Sequence, residues 1–421
     1  MAQQKPDKPV TSLIIRMRAS GSKVAPTIER FVQVLEENYS GNVRLNEMTG
    51  RPEFRSQPSD DWSEWTDAQE SALRGWFQTA LGLYSRDMFN DALNVFFERQ
   101  KVNPLTDLLD SLQWDGEERM EHFLHHVAGT PDDAYHREVS RLLFAGGTHR
   151  AYRPGCKFDD MIVFTGRQGS GKSTLVRFLN ISDDWFREIK VITGKEGIES
   201  LRGAWIAEMS ELMAMTRVKE METVKAFITT QVDSYRPPYA KNVKTIPRRC
   251  VFVGTTNNPQ FLSDRTGNRR FYPVNVRCSG DDILRREETI REYILQCWAE
   301  AVHKFKAGEL QPFARYDMRE IFVEAQEDAM EDDWRVGAIK DYLEREKRAI
   351  GENVCVIELW HRALGEPEDS KPQRKDSIEI TYIMQQMPDW VREKKAVRAG
   401  KWGVQKVFVK VGHDWPGDQT G

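Results

Sequence analysis

Cysteine is scarce. The chain holds five, Cys156, Cys250, Cys278, Cys297 and Cys355, and no two stand at C-x-x-C spacing. An odd count without that spacing predicts neither a zinc ribbon nor a disulfide framework, and fits a reducing cytoplasm. Long apolar runs are also missing: none approaches the roughly 18 residues of a membrane helix. Within residues 1–23 only Leu13-Ile14-Ile15 is apolar, and charge flanks it, so no secretory signal is expected. Charge of one sign is not in excess. Lys and Arg number 61 against 65 Asp and Glu, for a net −4, so bulk charge does not announce nucleic-acid binding. Glycine (28) and proline (18) are ordinary for 421 residues, and hydrophobic residues make up 39%. That composition excludes collagen-like, mucin-like and wholly disordered chains. Neither an internal repeat nor a long low-complexity segment is present.

What is there is unevenly placed. Residues 1–23 carry Lys5, Lys8, Arg16, Arg18 and Lys23 against Asp7 alone. Residues 241–249 hold four bases and no acid, residues 392–410 seven bases against Glu393, and residues 324–333 six acids and no base. Separate basic patches on a mixed surface suit local contact with phosphate.

The pattern divides the chain. Residues 1–24 read as a basic flexible arm. Residues 25–102 read as a small α+β domain. Its first helix has Ile28, Phe31, Val32 and Leu35 at helical spacing. A hairpin follows around Thr49-Gly50-Arg51-Pro52, then two helices started by Thr66 and by Ser85 or Asp87. From about 103 to 282 the reading is an α/β core with preceding helices. Met161-Ile162-Val163-Phe164, Trp205-Ile206-Ala207, Cys250-Val251-Phe252-Val253 and Phe271-Tyr272-Pro273-Val274 are short apolar runs, as in buried parallel strands, with helices between most of them. A helical connector is expected over 283–334. Over 335–412, helices at 354–364 and 377–387 and a hairpin turning at Gly400 resemble a winged helix; 413–421 is a tail.

One motif carries chemistry on its own. Gly166-Arg167-Gln168-Gly169-Ser170-Gly171-Lys172-Ser173 matches G-x-x-x-x-G-K-[ST], follows an apolar strand, and opens a helix at Thr174. Glycines at 166, 169 and 171 let backbone N–H groups turn inward as an anion nest, and the helix N-terminus adds positive potential. Lys172 brings a full charge to the β and γ phosphates, and the Ser173 hydroxyl suits Mg²⁺. Gly166, Gln168, Gly169, Ser170, Gly171, Lys172, Ser173 and Thr174 are therefore the candidate ATP-binding residues.

Hydrolysis needs more. Glu208 closes the second apolar run, where a strand-end carboxylate can position Mg²⁺ or water. Glu211 lies three residues on, and the Glu-x-x-Glu spacing leaves open which of the two polarises the attacking water. Asn257 ends the third run and is placed to sense a γ-phosphate. Arg269 and Arg270 precede the fourth run. Two adjacent arginines cannot both face a core, and one suits an arginine finger reaching a neighbouring subunit.

Taken together these segments resemble the virulence-associated protein E family, phage and genomic-island proteins related to superfamily 3 helicases. The resemblance rests on Asn103-Pro104-Leu105, Trp114-Asp115-Gly116, Arg153-Pro154-Gly155-Cys156-Lys157, the glycine-rich motif and Trp205-Ile206-Ala207-Glu208. It continues in Lys225-Ala226-Phe227, Asp233-Ser234-Tyr235-Arg236-Pro237-Pro238-Tyr239, Pro247-Arg248-Arg249, Gly254-Thr255-Thr256-Asn257 and Asp264 through Phe271. It is strongest over about 100–275. It implies an AAA+-like P-loop ATPase of phage replication, forming a homo-oligomeric ring, a hexamer by family habit, on single-stranded DNA in the bacterial host cytoplasm. Forked or duplex DNA and other replication proteins are expected partners, and a membrane is not. The roughly 100 residues ahead of the ATPase look too short for a primase. An ATPase switch, loader or DNA-binding initiator that unwinds nothing is the competing class.

Two segments are candidate DNA contacts. Residues 233–247 combine turn formers with the extended flanks Val243, Thr245 and Ile246, which predicts a hairpin. In the resembling helicases a hairpin in this interval lines the ring channel. Lys241 and Lys244 would meet the backbone and Tyr239 a base. In the C-terminal hairpin, Lys394, Lys395, Arg398 and Lys401 suit phosphate contact. The helix expected at 377–387 contains Glu379 and no base, which argues against base reading by it.

Overall fold

The computed structural model describes residues 27–81, 85–210, 218–235, 244–262, 268–330 and 334–411. Internal contacts divide the chain into two units, one ending at Met330 and one beginning at Glu331.

The first unit opens with helix α1 (Ile28–Tyr39), whose Phe31, Val32, Val34 and Leu35 are buried. The Thr27 hydroxyl accepts from the Arg30 N–H at 3.4 Å and starts it. Strands β1 (Val43–Asn46), β2 (Arg51–Phe54) and β3 (Ser63–Glu64) follow as an antiparallel meander. Helix α2 (Asp67–Leu81) starts at Thr66, as expected, but its reciprocal partner is Gln69. Helix α3 (Arg86–Arg99) starts at Ser85, and β4 (Lys101–Val102) joins β1 in parallel. Stacked Phe31 and Phe77, with Phe89 edge-on to Phe77, centre this layer.

Helices α4 (Pro104–Ser111), α5 (Phe123–Ala128) and α6 (Ala134–Tyr152) lead to the main sheet. Its strands are β5 (Met161–Thr165), β6 (Phe186–Glu188), β7 (Ile206–Ser210), β10 (Val251–Thr255) and β11 (Phe271–Asn275). All are parallel, in the order β11-β5-β10-β7-β6. Between them lie α7 (Lys172–Leu179), α8 (Gly194–Ser200) and α9 (Val218–Thr229), with β8 (Val232–Tyr235) and β9 (Lys244–Pro247) forming a separate antiparallel pair. The apolar runs are continuous because both faces of the sheet are covered. Ile162, Phe164, Val251, Val253 and Val274 pack into a core with α6 and the later helix α11 (Glu287–Lys306). Met161, Val163, Phe252 and Phe271 pack into another with Met221 and Val224 of α9. Strand β6 was not legible: Arg187 and Glu188 leave it no apolar run, and it survives at the edge by pairing with β7. Helix α10 (Gly280–Arg285) precedes α11, and α12 (Arg319–Asp328) follows it.

The core depends on close approach at Gly147 in α6. A Cβ there would stand 2.5 Å from the Trp298 ring. The glycine lets Trp298 lie against Trp205, with ring centres 4.2 Å apart, and the Trp205 indole N–H donates to the Gly147 carbonyl at 3.0 Å.

The second unit runs α13 (Trp334–Glu346), β12 (Asn353–Cys355), α14 (Val356–Glu358, continued by a π-helical turn to Ala363), α15 (Arg374–Gln385), β13 (Trp390–Arg392), β14 (Val397–Arg398), β15 (Val404–Gln405) and β16 (Val407–Lys410). Strands β12, β16 and β13 form one antiparallel sheet, and β14 with β15 a hairpin that turns through Gly400. Ile339, Leu343, Val354, Leu359, Ile380, Ile383, Trp390 and Phe408 make its core. Two expectations need correction. Val354 and Cys355 belong to a strand rather than to a helix, because they pair with Phe408 and Val407. Helix α15 begins at Arg374 rather than at about 377, because Gln373 and Asp376 cap it reciprocally. It therefore does carry a base at its start.

The root of the β8–β9 pair is an ion pair. Arg248 donates to both oxygens of Asp233, at 2.6 and 2.8 Å, and both side chains are buried. Arg248→Met should leave Asp233 charged and alone and cost about 3–5 kcal/mol, read by denaturant unfolding. Joining it with Asp233→Leu should recover most of that loss.

Candidate active site

The site lies where the parallel strands end. Strand β5 delivers the chain into the Gly166–Gly171 loop, whose Gly166, Gly169 and Gly171 have φ of +141°, +80° and +82°. These are left-handed or mirror conformations that only glycine adopts without strain. Two have no room either. A Cβ on Gly166 would sit 2.9 Å from the Val276 carbonyl, and one on Gly171 2.5 Å from Ile283 Cδ1. The loop is braced from behind, where the Gly280 N–H donates to the Gly169 carbonyl at 2.9 Å.

Helix α7 starts on Gly171, so its first N–H groups face the loop. Its far end is fixed by Asn180, fully buried, which donates to the Ile206 carbonyl and accepts from the Ile206 N–H at 3.0 and 2.9 Å. Two hydrogen bonds therefore tie α7 to strand β7.

Lys172 is buried, and its Nζ donates to the Gly166 and Arg167 carbonyls at 3.0 Å each and to Asn257 Oδ1 at 2.8 Å. Burial lowers the pKa of this ammonium, and the nearby Glu208 carboxylate opposes that shift. Ser173 donates through its hydroxyl to Glu208 Oε1 at 2.6 Å, and Thr255 donates to the same oxygen at 2.7 Å. Glu208 is 1% exposed. Three separated segments, at 166–173, 208 and 255–257, thus converge on one ammonium and one carboxylate.

The arrangement suits a hard cation. Glu208 is a buried carboxylate bonded to two hydroxyls, a polar pocket that a positive ion completes. Among the described residues no group of three His, Cys, Asp or Glu side chains is placed to hold a metal. A cation here would take one carboxylate and one hydroxyl, the sparse protein ligation typical of Mg²⁺ with a phosphate substrate.

Sequence reasoning brought Lys172, Ser173, Glu208 and Asn257 together, and the structure does too. It missed Thr255, Asn180 and Gly280. Thr255 stood in the quoted Gly-Thr-Thr-Asn run, but only strand register reveals which hydroxyl meets Glu208. Gln168 is exposed, while Ser170 Oγ lies 3.4 Å from Lys172 Nζ; Thr174 is half-buried in the first turn of α7. Glu211, Tyr239 and Lys241 lie outside the described residues, as does the Lys244 side chain. Lys401 is engaged by Glu368 at 2.9 Å and lies over Trp402, while Lys394, Lys395 and Arg398 are exposed on or beside the β14–β15 hairpin.

Arg269 and Arg270 are elsewhere. They directly precede β11, whose Phe271 is level with Met161 at the start of β5. The Gly166–Gly171 loop follows the other end of β5. Four rises of about 3.3 Å separate Met161 from Thr165 by roughly 13 Å. The arginines line a cavity of about 940 Å³ with Asp159, Asp160 and Tyr272.

The virulence-associated protein E-like domain model matches residues 109–331, more than half of the chain. No curated protein matches it. Among solved structures it is similar to an apo structure of the NrS-1 C-terminal region, with 15% identity, a TM-score of 0.49, and coverage of 92% of this chain and 100% of that one. An A-form apo structure of the same region gives 14% identity, a TM-score of 0.46, and the same coverage.

The Asp160 carboxyl accepts from the Tyr272 hydroxyl at 3.2 Å, and burial, with Asp159 beside it, pushes its pKa up to about 7. A raised carboxylate pKa means that the folded state keeps a proton the unfolded chain has lost. Stability attributable to this group is therefore greatest at low pH and falls as pH rises from about 4 through 7. Asp160→Asn should raise the melting temperature at about pH 8 and leave it unchanged near pH 4, as thermal unfolding at the two pH values would show.

Proposed function

Because the chain belongs to the virulence-associated protein E-like family, we propose that it is an ATP-hydrolysing DNA helicase or translocase of phage or mobile-element replication. It works as a homo-oligomeric ring, a hexamer in the fullest form of the proposal, in the bacterial host cytoplasm. The convergence of Lys172, Ser173, Glu208, Thr255 and Asn257 is the observation that carries the reading. The main sheet is then the core of an AAA+-like P-loop ATPase, with its chemistry at the carboxyl ends of the strands.

The residues divide the work. The nest and the start of α7 bind phosphate. Lys172 supplies charge where it develops on the γ-phosphoryl, in a site too dry for water to screen it. Ser173 and Glu208 would hold Mg²⁺, which when bound neutralises the β and γ oxygens. Both hydroxyl bonds to Glu208 fall on Oε1, leaving Oε2 as the acceptor that orients a water. Asn257, already bonded to Lys172, reports whether a γ-phosphate has taken the ammonium. It follows β10, the strand next to β7, so that report passes directly into the sheet.

DNA contact is assigned to two places. The β8–β9 pair is the root of the expected channel hairpin. The element order and sheet order of the second unit support a winged-helix reading, with β14–β15 as the wing. Lys394, Lys395 and Arg398 on or beside that wing suit backbone contact, and Glu379 of α15 is held by Arg335, which favours phosphate over base recognition. An ATPase switch, loader or initiator would share the nucleotide site and lack strand separation.

Lys172→Ala should abolish Mg²⁺-dependent ATP turnover. Glu208→Gln should keep nucleotide binding, measured with a fluorescent ATP analogue, while turnover falls by two orders of magnitude or more. Undiminished turnover in Glu208→Gln would move water activation to Glu211. Replacing Lys394, Lys395 and Arg398 together by alanine should weaken duplex binding and flatten its log–log salt slope by about 3. An unchanged slope would leave the second unit to protein contacts.

A further inference from the structure

A cavity of about 280 Å³ opens between the α+β layer and the root of the β8–β9 pair. Leu45 and Met48 line it from the layer, Ile198 and Leu201 from α8 and the residue after it, and Ile246 and Pro247 from β9. Leu45, Ile198, Leu201 and Ile246 are only half-buried. Four aliphatic side chains around one cavity thus keep part of their surface in water, and covering that surface is favourable. The charges on the walls are paired with one another: Glu47 with Arg249 at 3.1 Å, Asp233 with Arg248 at 2.6 Å, and Glu98 with Lys101. They offer little to a charged small molecule. The volume also lies just below the roughly 300 Å³ at which small-molecule pockets begin. The space suits a few aliphatic side chains better than a cofactor.

The chain itself supplies such a group. Residues 1–26 precede the described part of the chain. Within them Leu13-Ile14-Ile15 is an aliphatic triplet flanked by polar and charged residues. Its tether starts beside the cavity. Thr27 starts α1, and Glu29 in the first turn of α1 pairs with Arg99 at 3.1 Å. Glu98 and Lys101, on either side of Arg99, line the cavity. The residues between Ile15 and Thr27 can span up to about 40 Å, far more than this placement requires. Charge favours the same return. Residues 1–26 carry five bases against Asp7 alone, whereas residues 27–102 carry 13 acids against eight bases. A basic segment tethered to an acidic layer stays near it, and a short tether raises its effective concentration to about the millimolar range.

We propose that the N-terminal arm is an intramolecular strap, with Leu13-Ile14-Ile15 seated in this cavity. The α+β layer and the root of the β8–β9 pair already meet through Glu47 and Arg249. The strap closes the apolar part of the same joint and fixes the hairpin root to the layer.

The test uses the full chain without ATP or DNA, so its outcome does not depend on the helicase reading. A photoreactive benzoylphenylalanine replaces Ser12, beside the triplet and outside it. After irradiation, mass spectrometry should find cross-links to residues 45–50, 198–204 or 245–250. In a mixture of isotope-labelled and unlabelled chains these should join residues of one chain. Leu13→Asp with Ile15→Asp should lower their yield about tenfold or more, because the cavity would have to bury two carboxylates. That double variant alters only the arm, and an unchanged melting temperature of the main transition would show that the core is folded. Ile198→Asp, on the cavity wall, should lower the yield in the same way. Cross-links confined to other surfaces, or an equal yield in the arm variant, would overturn the proposal. Cross-links found only between labelled and unlabelled chains would overturn it too, by giving the cavity to the arm of a second copy.

Discussion

A buried carboxylate organises this molecule. Glu208 is almost wholly removed from water, and an ionised carboxylate there must be bonded or paired. It accepts hydrogen bonds from the hydroxyls of Ser173 on α7 and of Thr255 on the neighbouring strand. Those two bonds tie α7 and β10 to Glu208 of β7. Lys172 completes the cluster by bonding Asn257, and Asn180 keeps the helix from sliding along the strand. Disturbing any of these groups disturbs the geometry of the rest.

The two ends of the same sheet have different jobs on our reading. The carboxyl ends gather the phosphate chemistry. The amino ends carry the arginine turn and the root of the β8–β9 pair, where Arg248 and Asp233 are buried together. That root is also held from outside: Arg249 pairs with Glu47 of the N-terminal layer at 3.1 Å, and the Gly203 N–H donates to the Met48 carbonyl at 3.0 Å. The small α+β layer therefore buttresses the hairpin root. Short rigid strands between the two ends suit transmission of a change at the phosphates, because packed cores shift between discrete arrangements instead of deforming smoothly.

Much of this is legible in the sequence. Four apolar runs became four of the five parallel strands, since a strand buried on both faces must be apolar throughout. The glycine-rich motif, Glu208 and Asn257 were placed together because each stood at the end of such a run. What escaped was decided by pairing. Strand β6 has too little apolar character to announce itself, and Thr255 looks like any hydroxyl until register sets it opposite the acidic strand. The start of α15 was misjudged because Gln373 is an unusual cap.

The central claim is that this cluster hydrolyses ATP to move the chain on DNA. The most direct measurement sets ATP turnover of the full chain, with and without single-stranded DNA, beside separation of a forked duplex in the same mixture. The account predicts Mg²⁺-dependent turnover that single strands stimulate, together with strand separation that stops when ATP is withheld. Turnover without strand separation would contradict the helicase assignment and favour a switch or loader. Absence of turnover on any DNA would contradict the account at its root.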